Sequence, residues 1–333
     1  MFKAVTHIME KIGIFYKKFL KADIQKYRYR RITKMVVAVM KYILFKKPAL
    51  LMVETGTICN LNCPTCPTPR EIVVGSRPAK NMEFDTFKKI IDNSYKSFSG
   101  VTLYWSNEPL LNKNIARMVR YCNDLNLYTF ISTNGMLLTE NIFKELINAG
   151  LDELLVCVDG FSPETYERFR RGAKLETVKK NLENICKIKK VLRAPNPWIE
   201  IQYVETKQNS KEIDPCMKWS QEIGVDGFRV VKLAITQHLH DAEKLREEFY
   251  TEKRWEERNK ETQQAGNRVC TLPDWQASVL VNGQITICCM DIRGVCSYGN
   301  LLENSFKSIT ANNKYSELKK KSRKRKLDIC HKC

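Results

Sequence analysis

Three cysteines, Cys59, Cys63 and Cys66, fall within the short stretch TICNLNCPTC (57–66). The gap between Cys63 and Cys66 brings both thiolates within reach of one metal centre, and the longer gap from Cys59 lets the loop wrap around it. A structural zinc site asks for four protein ligands, and no His or further Cys lies at a usual distance from Cys66. An iron–sulfur cubane held by three thiolates keeps one iron without a protein ligand, where an external molecule can bind. The missing fourth ligand is therefore read as the functional feature.

These thiols need elements to position them. From residue 50 onward, short β-branched runs alternate with helical patterns. ALLMVETGT (49–57), GVTLYWS (100–106), LYTFIST (127–133), ELLVCVDG (153–160), WIEIQYVE (198–205) and GFRVVKL (227–233) are expected as strands. The segments between them carry apolar residues at helical spacing. Such β-α units in succession imply a parallel sheet with right-handed crossovers, doubly wound or barrel-like. Sites in parallel α/β folds gather at the C-terminal ends of strands. The cysteine trio, NEPLL (107–111), STNG (132–135) and VDG (158–160) each follow a strand, so all four should face one pocket.

CxxxCxxC after the first strand of a six-unit β-α array resembles the radical S-adenosylmethionine (SAM) superfamily. The resemblance implies an α/β fold with a partial (β/α)6 TIM-like barrel over residues 49–235. It implies a [4Fe-4S] cluster on Cys59, Cys63 and Cys66 whose open iron is chelated by S-adenosylmethionine. The chemistry implied is cleavage of that cofactor to a 5′-deoxyadenosyl radical, which abstracts a substrate hydrogen, with electrons from a flavodoxin- or ferredoxin-type donor. NEPLL resembles the family's GGEP segment, which gives Glu108 the methionine amino group, with Asn107 in place of a glycine. STNG resembles a stretch approaching the cofactor through Ser132 and Asn134. VDGFSPETYERFRRG (158–172) resembles a segment in which Arg170 meets the cofactor carboxylate. Cys157 stands where that segment often has a Ser. Local alternatives stand beside these roles: Glu108 bracing a loop, Arg170 solvated beside Arg168 and Arg171, and turn chemistry at Thr133–Gly135. Tyr104, Trp105, Tyr203, Glu205 and Lys232 lie at strand ends and are substrate-contact candidates, although aromatic residues on strands often serve the core.

A second cysteine group begins at Cys270 and closes with CHKC (330–333). SVLVNGQITICC (278–289) is expected as a hairpin turning at Asn282-Gly283, carrying Cys288 back toward Cys270. A four-cysteine zinc ribbon stays open as an alternative, though a ribbon usually shows two CxxC knuckles. The order resembles the shortened SPASM domain called Twitch. That implies an auxiliary [4Fe-4S] cluster on Cys270, Cys288, Cys330 and Cys333 within residues 268–333, joined to the barrel by a helical bridge over 236–267. Cys288 is preferred to Cys289 on the family's Gly-x4-Cys pattern. An auxiliary cluster that accepts an electron would make the reaction a dehydrogenation of a sugar, cyclitol or lipid-linked substrate. The alternatives are a ribosomal-peptide maturase, a radical epimerase using Cys157, Cys289 or Cys296 as hydrogen donor, and a non-enzymatic iron–sulfur scaffold.

With 333 residues, 43% of them hydrophobic, the chain can bury a sizeable core. Its 13 cysteines are odd in number and unevenly spread, and the N-terminal region carries Lys and Arg throughout without a clean apolar segment. A reducing cytoplasm is the expected setting. The net charge of +19 is concentrated at the ends: residues 1–50 sum to +11 and residues 314–333 to +7. Residues 1–48 are expected as a basic amphipathic helical extension. Its apolar run MVVAVMKYILF (35–45) is too short to span a bilayer but suits peripheral membrane contact, or packing on its own domain. Neither end shows a nucleic-acid signature beyond charge. LKKKSRKRK (318–326) would raise the potential of an auxiliary cluster by its charge, or form a solvated helix face.

Overall fold

The computed structural model describes residues 29–67, 78–235, 239, 241–264 and 269–330. Helix α1 (Tyr29–Phe45) leads into strand β1 (Leu50–Val53). There follow β2 (Gly100–Thr102), β3 (Tyr128–Thr133), β4 (Glu153–Cys157), β5 (Trp198–Glu205) and β6 (Gly227–Lys232). Each expected strand contains one of these. They pair in parallel in the order β6-β5-β4-β3-β2-β1, the arrangement of a partial (β/α)6 barrel.

The intervening helices follow from their apolar spacing. Helix α2 (Phe84–Asp92) buries Phe84, Phe87, Ile90 and Ile91, and α3 (Ile115–Asp124) buries Ile115, Met118, Val119 and Cys122. Helix α4 (Glu140–Ala149) is capped by the Thr139 side chain, which accepts from the Ile142 amide, and it stops at Gly150 in the left-handed region. Helices α5 (Pro163–Phe169), α6 (Leu175–Val191) and α7 (Ile213–Ile223) complete the outer layer. Every residue of β4 is buried, as a strand covered on both faces requires. Helices α8 (Ala242–Phe249) and α9 (Glu252–Gln264) come next, with Leu245, Phe249 and Tyr250 packed in one cluster with Phe169 and Leu233.

The C-terminal segment continues the barrel sheet. After α10 (Leu272–Trp275), β7 (Gln276–Val279) pairs in parallel with β1, Leu51 opposite Ala277 and Val53 opposite Val279. β8 (Gln284–Thr286) and β9 (Ser297–Asn300) continue the sheet antiparallel. The physical reason is the edge of β1, whose unpaired amides and carbonyls need a partner. The expected turn is present: the Gly283 amide donates to the Leu280 carbonyl at 2.9 Å, and Gly283 has φ +82°. A side chain there would collide with Asn300 and Leu302, so glycine is required. Helices α11 (Phe306–Thr310) and α12 (Asn313–Arg323) close the fold, and Lys319 and Arg323 of α12 pair with the buried Asp274.

Helix α1 crosses the N-terminal ends of the strands. Its Arg31 guanidinium lies 2.6 Å from Asp152 just ahead of β4, both side chains buried, and stacks over the Tyr128 ring at the start of β3. Tyr42 meets Trp275 edge to face at 5.1 Å. No helix among the described residues is long and apolar enough to cross a membrane. Removing one partner of a buried ion pair strands the other. Arg31→Ala should therefore lower stability by about 3 kcal/mol, seen as an earlier urea transition; an unchanged transition would mean that α1 is not anchored through Asp152.

Candidate active site

A cavity of about 210 Å³ opens where β1 to β4 end. It is lined by Cys59, Cys63 and Cys66, by Glu108, Ser132, Asn134, Cys157 and Arg170, and by Tyr104 and Trp105. The four post-strand stretches thus meet in one pocket.

The cysteine loop is held by short-range bonds. The Leu61 amide points at Cys59 Sγ (3.4 Å), the Cys66 amide donates to the Cys63 carbonyl (3.2 Å), and the Asn62 amide donates to Arg171 (2.9 Å). Burial pushes the Cys59 thiol up to about 11 and also raises Cys63, where Arg170 opposes the shift. Metal binding would therefore displace protons from this loop. Among the described residues no three ligating side chains already stand arranged around an ion. The donor chemistry nonetheless fits an iron–sulfur cluster: three thiols on one cavity wall, with an amide and a guanidinium aimed at sulfur.

Glu108 is almost wholly buried and braced on both oxygens. Oε1 accepts from Thr133 Oγ1 (2.7 Å) and the Leu110 amide (3.1 Å), and Oε2 accepts from the Asn134 amide (2.8 Å). Burial pushes its carboxyl above the usual range, while the Asn134 amide, Thr133 and Leu110 pull it back. Asn134 also donates its side-chain amide to Asn60 Oδ1 (2.8 Å), which ties STNG to the cysteine loop. Ser132 Oγ lies 3.7 Å from Cys157 Sγ.

Arg170 is paired with the fully buried Asp159 and directs Nη1 toward Cys63 Sγ at 3.9 Å. It is not the solvated helix residue that its neighbours suggest. Burial pushes the Asp159 carboxyl up, opposed by Arg170 and by the Val204 amide. Asp159 sits in the quoted VDG stretch, yet its part in fixing Arg170 follows only from the crossing of two loops. Glu54 is a further residue without a local signal: it accepts from Ser106 Oγ (2.7 Å) and from the Val281 amide (2.9 Å).

Three of the substrate-contact candidates are corrected. Tyr203 turns to the outer face of the sheet, where its hydroxyl donates to the Asn209 carbonyl (2.8 Å) and its ring packs near Phe228. Glu205 and Lys232 line a small depression at the β6 edge with Arg254 and Glu257, and Lys232 pairs with Glu257 at 2.9 Å. These positions follow the parity and length of β5 and β6, which hydrophobic runs do not fix. Tyr104 and Trp105 do line the pocket. Trp105 Nε1 donates to the Cys289 carbonyl at 2.7 Å, joining the pocket wall to the C-terminal hairpin.

Across the C-terminal segment Cys270, Cys288 and Cys330 are half-buried, and Cys333 lies outside the described residues. The Met290 amide points at Cys288 Sγ (3.4 Å). A hydrogen bond with Cys289, together with burial, raises the Cys288 thiol. Cys296, grouped by the sequence with the spare cysteines, stands near Cys330 and Cys288; burial, Asp291 and these thiols push it up to about 11. The Cys270 amide donates to the Arg323 carbonyl (2.9 Å), so the basic segment borders this cysteine.

The bracing of Glu108 generates a pH test. In Glu108→Gln the oxygen can keep Thr133 and Leu110, but the new amide would face the Asn134 N–H, a conflict worth about 1–3 kcal/mol. A raised carboxyl contributes stability below its ordinary value near 4.5 and loses it as pH rises through the folded value. The advantage of wild type over the variant should therefore shrink as pH rises above about 4.5 in urea unfolding. A gap that widens with pH would contradict the burial-driven shift.

Two family models match the chain: the radical SAM superfamily over residues 53–193 and an iron–sulfur cluster-binding domain, SPASM, over residues 270–333. An AdoMet-dependent heme synthase of Methanosarcina barkeri is 31% identical over 191 residues, 57% of this chain and 52% of the relative. A PqqA peptide cyclase of Bradyrhizobium diazoefficiens is 24% identical over 189 residues, 57% of this chain and 47% of the relative. The chain spans about half the length of these curated relatives. The crystal structure of Streptococcus suis SuiB bound to S-adenosylmethionine superposes with a TM-score of 0.62 at 16% identity, covering 93% of this chain and 80% of that one. The cofactor set that goes with these domains is S-adenosylmethionine and iron–sulfur clusters, one of them auxiliary in the SPASM-type domain. The three thiols before an open cavity, the braced Glu108 and the cysteine-bearing hairpin beside them are those of a chain that belongs to the radical SAM superfamily and carries a C-terminal SPASM-type domain.

Proposed function

We propose that this enzyme carries out a net two-electron oxidation of its substrate, the dehydrogenation of an alcohol carbon on a sugar or cyclitol. When bound, the first cluster and S-adenosylmethionine would supply a 5′-deoxyadenosyl radical to take the carbon-bound hydrogen atom, and an auxiliary cluster an acceptor for the electron left behind, with the hydroxyl proton released to water as the carbonyl forms. The observation that carries the reading is the Trp105 to Cys289 bond, which sets the cysteine-bearing hairpin against the wall of the SAM pocket.

The chain's own residues would divide the work. Cys59, Cys63 and Cys66 would hold the open cluster, and Cys270, Cys288, Cys330 and Cys333 the auxiliary one. Glu108 presents a fixed carboxylate to an amino group, and Ser132, Asn134, Cys157 and Arg170 line the remaining wall. Tyr104 and Trp105 would face substrate, with the Tyr104 phenol kept neutral by burial. An external flavodoxin- or ferredoxin-type donor supplies the reducing electron, and a reducing cytoplasm is the compartment in which the thiols remain available.

A lipid-linked substrate loses its main support, because α1 lies at the strand end opposite the pocket. Peptide modification is the second reading, favoured by the similarity to a PqqA peptide cyclase. A redox-neutral epimerisation would draw on Cys157, which lines the pocket.

Anaerobic assays separate these. Ala replacement of Cys59, Cys63 and Cys66 should remove one of two clusters by iron content and reduced-state EPR and abolish 5′-deoxyadenosine formation. Ala replacement of Cys270, Cys288 and Cys330 should spare that formation while oxidised product falls at least about tenfold. A single cluster in the intact protein, with zinc at the C-terminal cysteines, would overturn the oxidation. Solvent deuterium in a product of unchanged oxidation state would assign epimerisation instead.

A further inference from the structure

The end of the barrel away from the pocket carries a surface that the proposed chemistry does not use. Helix α1 is docked by one face only: Arg31 on Asp152, Lys34 over the Tyr95 ring, Ala38 buried, and Tyr42 on Trp275. On the opposite face Val36, Val37, Met40, Ile43 and Leu44 are 41% to 64% exposed, and at the C-terminal end of the helix Phe45 is also exposed, at 65%. At about 100° per residue, the first five occupy a stripe about 120° wide. Isolated exposed apolar residues are ordinary, but a stripe this regular on one helix is not.

A groove of about 920 Å³ lies between the end of α1, the loop after α2, and α11. Phe45, Tyr95 and Phe306 provide its aromatic lining. Lys47, Lys96 and Lys307 stand around it, all exposed, and Lys46 precedes them on the helix end. The basic helix α12 joins this region through Tyr315, which lines the groove, and through Lys319, whose Nζ donates to the Lys46 carbonyl. The described parts of the two basic ends, far apart in sequence, therefore meet at the C-terminal end of α1, beside its apolar stripe. The acidic groups nearby are engaged: Asp92 with Lys88 and Tyr121, Glu317 with Lys321, and Asp274 with Lys319 and Arg323.

We propose that this face docks on an anionic phospholipid surface, the stripe entering the interfacial layer and the lysines meeting lipid phosphates. Charge complementarity selects this occupant. A second copy seated face to face would bring two sets of the same lysines together, and like charges oppose that contact. An apolar stripe flanked by lysines, too short to span a bilayer, is the composition of an interfacial helix. Docking by this end turns the pocket mouth away from the membrane, so substrate would arrive from the aqueous side.

The test is co-sedimentation of the intact, cluster-loaded protein with vesicles of phosphatidylcholine containing about 30% phosphatidylglycerol, and with pure phosphatidylcholine. Wild type should bind the anionic vesicles at least about tenfold more tightly and release with salt. Val36→Asp/Met40→Asp/Ile43→Asp and, separately, Lys46→Ser/Lys47→Ser/Lys96→Ser/Lys307→Ser should each lose about tenfold or more of that binding, with 5′-deoxyadenosine formation in solution unchanged. All these side chains are exposed, so folding should survive. Equal binding to both vesicle types, no binding, or undiminished binding by the Asp variant would overturn the proposal. A dimer by light scattering that the Asp variant dissolves, without vesicle binding, would also overturn it and give the face to a second copy.

Discussion

The pairing of β1 with β7 is the contact on which the rest depends. β1 is first in sequence among the barrel strands but central in the finished sheet, with β2 on one side and β7 on the other. Its C-terminal end feeds the cysteine loop, and β7 feeds the hairpin that carries Cys288 and Cys289. Backbone bonds such as Glu54 N to Val279 O (3.0 Å) fix the separation of these two loops. The buried Glu54 carboxylate repeats the link with side-chain bonds, one to Ser106 after β2 and one to the Val281 amide of the hairpin turn. An isolated buried carboxylate is costly; one that receives donors from two separate segments holds them in register. The arrangement positions two cysteine groups by sheet geometry rather than by a flexible interdomain linker.

The pocket rests on the same economy of buried charge. Glu108 and Asp159 are both placed where burial disfavours ionisation, and each is surrounded by fixed N–H or O–H donors. Donors already in position need no rearrangement when a charged ligand arrives. Arg170 completes the set by facing Asp159 on one side and Cys63 on the other. A negatively charged group bound near the thiols would meet a guanidinium whose orientation is set in advance.

What was legible in the sequence is local. Cys59, Cys63 and Cys66, Glu108 in NEPLL and Asn134 in STNG reach the pocket because each lies within a few residues of a strand end. The hairpin at Asn282-Gly283 was legible for the same reason, since its turn chemistry is contained in two residues. What was hidden depends on partners distant in sequence. The parallel pairing of β7 with β1 joins residues more than two hundred positions apart, with no loop length to betray it. The parity of β5 sends Tyr203 outward, because both faces of a covered strand are apolar and alternation gives no warning. Asp159 and Glu54 look like ordinary loop and strand-end acids until their donors are seen. Cys296 looked surplus because it lies outside the motif spacing, whereas the fold returns it to the side of Cys288 and Cys330.

The placement of α1 bears on how charge and chemistry are divided. The sequence shows basic residues at both termini and a nearly neutral body, which suggests two independent cationic tails. Folding instead brings the described part of each end to the same side, through Lys319 on Lys46 and Tyr42 on Trp275. The strand length then separates that side from the thiols and from the buried carboxylates of the pocket. Long-range fields from the lysines are screened over about 10 Å at moderate salt, so they act weakly on the pocket compared with Arg170 at contact distance. A basic surface at one end and a preorganised pocket at the other can thus be tuned separately, one by exposed substitutions and one by buried hydrogen bonds.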